Sequence, residues 1–340
     1  MPVDVTATVP VCGIAAEVLH TCLESLCVQD FPTLEILVID DNGSEKAQKE
    51  CRGTVQSFIR QHKGNAHAKH ITYICQGANM GLVEARRTGA ERANGSHLLM
   101  VDADDTLVSP EAVSRLYRAA VTMPDGTGFP SPGFDVVQCG SVLTGTDSAA
   151  VAERSKTMAP VLQPEVRTVN ADGSLEGLFF GNSPISRFLW AKLYRTEVAL
   201  EGFSHVPSMY CVMNEDLLLS YFLSREMHSY RRIADRLYGY SVNTGITSDT
   251  AITDLTRWRR FCSSSDVFTA LFYDLQERPL PPESAVVKEL ESLYFSCITK
   301  NAWRLLHTVD AKIRPEAREI FIESWGEATA LKALEAAQKQ

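Results

Sequence analysis

The chain has 340 residues, room for one large domain or two of ordinary size, and 33 basic against 42 acidic residues give it a net charge of −9. That balance argues against a nucleic-acid binder held by phosphate contacts. Nine cysteines lie scattered with no CxxC pair, no charged leader is read at the start, and no stretch approaches the roughly 18 apolar residues a membrane span needs; reduced thiols in the cytoplasm are therefore expected.

Residues 3–10 alternate and stop at Pro10, which predicts a first strand. Over 14–29 the apolar positions Ile14, Val18, Leu19, Cys22, Leu23, Leu26 and Cys27 fall on one helical face, and Phe31-Pro32 ends the pattern. Residues 34–39 are a continuous apolar run that closes on Asp40 and Asp41, followed by Asn42-Gly43-Ser44. Strand, helix, strand, with acids at the second strand's carboxyl end, opens a doubly wound parallel sheet, whose ligands sit outside such ends. A mixed helix to about His62 and a short strand over 70–75 follow. The turn 76–81, with Asn79 and Gly81, leads into a helix over 82–93 with Gly95 as its C-cap. Free amides in that helix's first turn, with Arg86 and Arg87, suit a diphosphate; solvated surface arginines are the bland alternative.

The central stretch is 97–107, HLLMVDADDTL. An unbroken apolar run, Leu98 to Val101, reads as a strand buried on both faces, and it ends in Asp102, Ala103, Asp104 and Asp105. Three carboxylates there repel one another unless offset, and a hard divalent ion bound through oxygen, Mg²⁺ or Mn²⁺, would do so. An Asp-rich turn capping the next helix, near Pro110, is the other reading.

A helix over 110–123, a Gly/Pro-rich connection over 124–133 and a strand over 134–140 come next. Residues 144–173 are polar without a clear period and are expected to cover the site as lid or surface loop. After a short helical pattern at 175–180, residues 188–195 form an apolar segment broken by Lys192. The pair Glu215 and Asp216 opens a helix reaching Arg225, a placement that the helix dipole alone would favour. A strand over 231–242 ends at Asn243-Thr244-Gly245, and beyond 253 the pattern becomes amphipathic helix, clearest over 284–307 and from 314 onward.

Taken together, VTATVPVCG, EILVIDDNGS, NMGLVEARRTGAERANGSHLLMVDADD, FLWAKLYRTEV, NEDLLLSYFL and YGYSVNTGITS resemble, in order and spacing, the inverting nucleotide-sugar glycosyltransferases of family 2. The resemblance implies an α/β chain with the GT-A fold: a Rossmann-like, mainly parallel sheet flanked by helices, with a C-terminal helical appendage. Residues 1–250 would be the catalytic domain and 251–340 the helical region. It implies that Pro10 and Val11 line the nucleotide pocket, that Asp41 accepts from a base ring nitrogen of uracil, and that Asn79, Gly81, Arg86, Asp102 and Ala103 hold the donor. Asp102, Asp104 and Asp105 would be the Mn²⁺ or Mg²⁺ ligands, and Asp216, beside Glu215, the general base.

The implied partners are a UDP-sugar donor and a saccharide or lipid-linked acceptor in a cell envelope. The tail would shape the acceptor site or a homodimer contact, with peripheral association at the inner face of the membrane as the alternative. The sequence departs from the family pattern in three places. Cys12 and Gly13 replace the usual aromatic and asparagine, Arg87 replaces an asparagine, and no histidine stands near Asn243. A binding protein without catalysis stays open as an alternative, as does a nucleotidyltransferase. The latter would need a Gly-rich loop after the first strand, where 9–15 holds only Gly13. The absence of GxGxxG there disfavours a dehydrogenase.

Overall fold

Two strands of seven buried residues each, β1 (Val5–Val11) and β2 (Leu34–Asp40), lie parallel at the heart of the chain, with Val11 level with Asp40. Strands buried along their whole length need cover on both faces, and here helices provide it. The structure, a computed structural model, describes residues 3–123, 133–145, 147–163, 165–171, 173–180, 185–242 and 251–339.

Between β1 and β2 runs α1 (Ala16–Cys27), which buries Leu19, Cys22, Leu23, Leu26 and Cys27, the face its spacing predicted. After β2 comes α2 (Glu45–Gln61), whose first turn is capped by the Ser44 hydroxyl accepting from the Ala47 amide. Then follow β3 (Ile71–Cys75), α3 (Leu82–Arg92), β4 (His97–Met100), the two-residue β5 (Thr106–Leu107) and α4 (Ala112–Val121). Further on are β6 (Val136–Thr144), α5 (Ser148–Leu162), β7 (Thr168–Asn170), α6 (Glu176–Phe180), β8 (Lys192–Arg195), α7 (Thr196–His205), α8 (Glu215–Glu226) and β9 (Ser229–Ser241). The helices α9 (Leu255–Cys262), α10 (Ser264–Glu277), α11 (Ala285–His307), α12 (Arg314–Trp325) and α13 (Glu327–Ala337) complete the described chain.

All strands join one sheet in the order β3-β2-β1-β4-β8-β6-β9-β5, with β7 paired to β9. The β3-β2-β1-β4 half is parallel, while β8 runs antiparallel to both β4 and β6. One face of this sheet packs Ala7, Val9, Leu99 and Val101 with side chains of α1, α2 and α4; on the other, Leu37 and Ile39 meet Ala85 of α3.

The chain divides into two compact units. The first, Met1–Leu175, Phe188–His205 and Phe222–Thr244, contains the whole sheet. The second, Glu176–Arg187, Val206–Tyr221 and Gly245–Gln340, is helical and has its own buried aromatics, Trp258, Phe268 and Phe321 among them. Within it the Trp258 indole donates to the Ala317 carbonyl at 2.8 Å, and Tyr221 donates to Asp274 at 2.8 Å. The boundary drawn near residue 250 from sequence does not isolate this unit, because 176–187 and 206–221 pack with the C-terminal helices. Among the described residues no helix is long and apolar enough to cross a membrane.

Several expectations are corrected. The 144–173 stretch, read as irregular, contains α5 and β7. Its helix lacks a strong apolar face, which is why no period was visible. The 188–195 segment contributes the antiparallel β8, and α7 behind it was not foreseen. The helix from 314 breaks at Gly326, whose φ of 76° separates α12 from α13. Most of the 124–133 connection, and Asn243-Thr244-Gly245, lie outside the described residues. Gly95 is no C-cap; an added Cβ there would lie 2.6 Å from the Thr6 amide nitrogen. Its small size lets the chain cross β1 closely, and its amide donates to Thr6 Oγ1 at 2.9 Å.

Gly95→Ala is therefore expected to cost roughly 1–3 kcal/mol by overpacking, read as a lower denaturation midpoint. His97 gives a second prediction. Burial, then the Arg195 charge, lower its pKa to about 4, so the native state keeps it neutral. Between about pH 6.5 and 4 the unfolded chain binds the extra proton, so stability present above 6.5 is lost as pH falls, by at most about 3 kcal/mol. Urea denaturation at pH 7 and 5 should show this loss, and His97→Phe should flatten it.

Candidate functional site

Because β1, β2 and β4 are parallel, the turns that follow them gather at one edge of the sheet. There Gly13, at φ 64°, donates its amide to Asn42 Oδ1 at 2.9 Å, tying the first turn to the second. Asp40 is fully buried; Oδ1 accepts from the Asn42 amide at 2.9 Å and its Nδ2 at 2.7 Å, and Oδ2 from the Tyr73 hydroxyl.

Asp41 holds the third turn. Its Oδ1 accepts from Gln76 Nε2 at 2.7 Å and the Met80 amide at 2.6 Å, and its Oδ2 from the Gly81 amide at 3.0 Å. Burial raises its pKa, opposed by those hydrogen bonds. An ionised carboxylate offers about four lone-pair sites, so these three donors leave one for a ligand. Asn79 places Nδ2 on Cys12 Sγ at 3.1 Å, while its buried Oδ1 has no partner among the described residues. Pro10 and Val11, expected to line the pocket, lie buried inside β1, and the Val11 carbonyl already accepts from the Asp41 amide at 2.9 Å. The exposed residue at this strand end is Cys12, which sequence reasoning set aside.

Of the adjacent arginines Arg86 and Arg87 of α3, Arg86 reaches the acids. Its side chain is 2% exposed and donates to Asp102 Oδ1 at 2.9 Å. Arg87 turns away, pairing with Glu84 at 3.0 Å and donating to the Phe203 carbonyl, so its expected contribution to a diphosphate site is corrected.

The acidic stretch itself is a closed turn: the Asp105 amide donates to the Asp102 carbonyl at 3.0 Å, with Ala103 and Asp104 at the tip. Cys22 Sγ also approaches the Asp102 carbonyl, at 3.7 Å, and the Leu107 amide donates to Ser25 Oγ at 3.1 Å. On the far side stands β9. The Tyr238 hydroxyl accepts from the Asp102 amide at 3.2 Å and donates to Asp105 Oδ2 at 2.7 Å, and the Ser241 amide donates to Asp105 Oδ1 at 2.7 Å. Burial, then Asp102, pushes the Asp105 pKa up. The three carboxylates expected to bind a metal, Asp102, Asp104 and Asp105, all lie on this turn. Among the described residues the acidic groups of this turn do not converge within 4.8 Å, and Asp105, 1% exposed, faces β9. Asp102, 27% exposed at its side chain, and half-buried Asp104 keep the hard-oxygen chemistry that Mg²⁺ or Mn²⁺ needs.

Lys192 is completely buried and donates to the Phe188 carbonyl, closing a turn in which Ala191 has φ 59°. The ring of Trp190 on that turn stacks on Tyr238 at 5.1 Å and 10° between planes, with Phe188 and Tyr240 stacked beside it. Glu215 and Asp216 occupy the first turn of α8, in the second unit, after Asn214 at φ 64°. The group of ligand-type side chains that does converge is Glu201, His205 and Glu226; its separations, 3.6 and 3.7 Å from His205, are those of exposed ion pairs.

Residues 6–139, which contain the turns after β1, β2, β3 and β4, match the model of glycosyl transferase family 2. Over this stretch the chain is similar to the family 2 glycosyltransferases. An uncharacterized glycosyltransferase of Escherichia coli K12, YibD, is 28% identical over 190 residues, 55% of this chain and 47% of YibD. The chain thus spans less than half the length of the curated relatives it matches. Among solved structures, residues 1–349 of S. aureus TarS in complex with UDP-GlcNAc align over 99% of this chain and 92% of that one, with TM-score 0.51 and 17% identity. A mannosyltransferase from Pyrobaculum calidifontis, in complex with GDP-Man and Mn²⁺, aligns over 98% of this chain and 80% of its own, with TM-score 0.54 and 16% identity. At such identity these two speak for the fold, the GT-A architecture that the sequence implies.

Arg86 and Arg87 separate cleanly by experiment. Arg86→Ala leaves Asp102 without this cation and should weaken nucleotide-sugar binding at least tenfold, whereas Arg87→Ala should leave it within twofold (roughly 1.4 kcal/mol per tenfold). Calorimetric titration of both variants checks this.

Proposed function

We propose that the chain is an inverting glycosyltransferase that moves a sugar from a UDP-sugar to a hydroxyl of a saccharide or lipid-linked acceptor, in cell-envelope polysaccharide synthesis. The observation that carries this reading is the closed acidic turn at the carboxyl edge of the parallel strands, within the family-matched residues and braced by Arg86. The nucleotide sugars bound by the S. aureus and Pyrobaculum proteins, and the Mn²⁺ of the latter, support a nucleotide-sugar donor and a divalent ion here.

Asp104 and Asp102 would hold that ion, Mn²⁺ or Mg²⁺, which when bound supplies Lewis-acid neutralisation of the departing diphosphate. Arg86 orients Asp102 by donating to its Oδ1, and the first-turn amides of α3 offer donors to phosphate oxygens. The remaining lone pair of Asp41 accepts the ring N–H of uracil, a fourth bond on a carboxylate already fixed by three. Asp216, with Glu215 beside it, takes the acceptor hydroxyl's proton. As it does so, the acceptor oxygen bonds to the anomeric carbon and the bond from that carbon to the diphosphate oxygen breaks. One displacement inverts the centre. The C-terminal helical region, 251–340, contributes to acceptor recognition or a homodimer contact, and the protein works in the cytoplasm or at the inner face of the membrane.

The direct test is release of UDP from a panel of UDP-sugars, with and without saccharide acceptors; no release from any of them contradicts the reading. Within it, Asp216→Asn should retain UDP affinity and lose transfer by about a hundred- to ten-thousand-fold. Asp104→Ala should instead abolish the Mn²⁺-dependent part of UDP binding, as measured by calorimetry.

A further inference from the structure

We propose that Asp105, Tyr238 and Trp190 form a clamp that positions the acidic turn, and that Asp105 acts through this clamp rather than as a metal ligand. The inference rests on the reading of the turn as the metal and diphosphate site. The Tyr238 hydroxyl has one proton and two lone pairs, and both capacities are used at the base of the turn. It donates to Asp105 and accepts from the Asp102 amide, so one oxygen pins the first and last residues of the turn. The Ser241 amide takes the other Asp105 oxygen. Neighbouring main-chain pairing holds the same register, with Thr106 opposite Gly239, Leu107 opposite Tyr238, and the Val108 amide on the Leu237 carbonyl.

The ring that carries this hydroxyl is itself fixed. Trp190 lies against Tyr238 nearly face to face, and Tyr240 and Phe188 close the stack. Trp190 is held in turn by the buried Lys192, which bonds the Phe188 carbonyl across the turn at Ala191. The left-handed backbone of a buried alanine is a conformation that only surrounding structure sustains, as occurs where a side chain must be aimed. Residues distant in sequence, 188–192 and 238–241, thereby set where Asp104 projects from the tip. Outer partners of this kind orient ligands and change metal affinity by about 10- to 100-fold when removed.

The test is calorimetric titration of UDP with Mn²⁺ into the full chain and into Tyr238→Phe, Asp105→Asn, the double variant and Asp104→Asn. Tyr238→Phe keeps the stacked ring and removes only the hydroxyl. The clamp predicts that Tyr238→Phe and Asp105→Asn each weaken Mn²⁺-dependent UDP binding about tenfold, that the double variant is little worse than either, and that Asp104→Asn loses at least a hundredfold. Two results overturn it: a Tyr238→Phe protein with a lower melting temperature but unchanged UDP–Mn²⁺ affinity, or an Asp105→Asn loss as deep as that of Asp104→Asn. Should Tyr238→Phe not fold, the comparison of Asp105→Asn with Asp104→Asn decides alone. Wild-type protein that does not bind UDP with Mn²⁺ at all would instead defeat the functional reading beneath the clamp.

Discussion

Buried carboxylates are expensive unless donors meet them, and this fold brings Asp40, Asp41 and Asp105, with the partly exposed Asp102 beside them, to one edge of one sheet. The protein answers with donors of its own. Asp40 receives Asn42 and Tyr73, Asp41 receives three donors from the 76–81 turn, Asp102 receives Arg86, and Asp105 receives Tyr238 and Ser241. Apart from the local Asp40–Asn42 bonds, each contact ties the end of one strand or its loop to another element, so the charge problem and the ordering of the site are solved by the same contacts.

That arrangement divides labour among carboxylates that look alike in sequence. Asp40 and Asp105 face inward and organise; Asp41 organises with one lone pair to spare; Asp102 and Asp104 remain near solvent. A ligand therefore meets a preformed turn, which lowers the ordering cost of binding. Tyr238 joins this set from a strand 133 residues further along the chain than Asp105.

The parallel half of the sheet was legible because its strands are continuous apolar runs ending in acid, at Ile39 and Val101, and because α1 repeats its apolar residues at helical spacing. The antiparallel half was harder to read. The strand β8 is only four residues long and contains a buried lysine, and α5 lacks the apolar stripe that signals a helix. At the site, residue types pointed to charge and metal chemistry, and named Arg86 and Arg87 together. The direction of each side chain was not readable from a linear string. Arg86 and Arg87 are adjacent, yet a helix turns neighbours about 100° apart, sending one to Asp102 and the other to Phe203. Likewise nothing in DADD distinguishes Asp105 from Asp104 until β9 arrives beside it. The close crossing at Gly95 was misread as a helix end for the same reason.

Anomalous diffraction at the manganese edge, from crystals grown with Mn²⁺ and UDP, tests the account most directly. It predicts one manganese peak bonded to Asp104 and to diphosphate oxygens at the carboxyl edge of β4, with Asp105 still bonded to Tyr238. Manganese absent from the acidic turn, or UDP bound elsewhere on the chain, would contradict it.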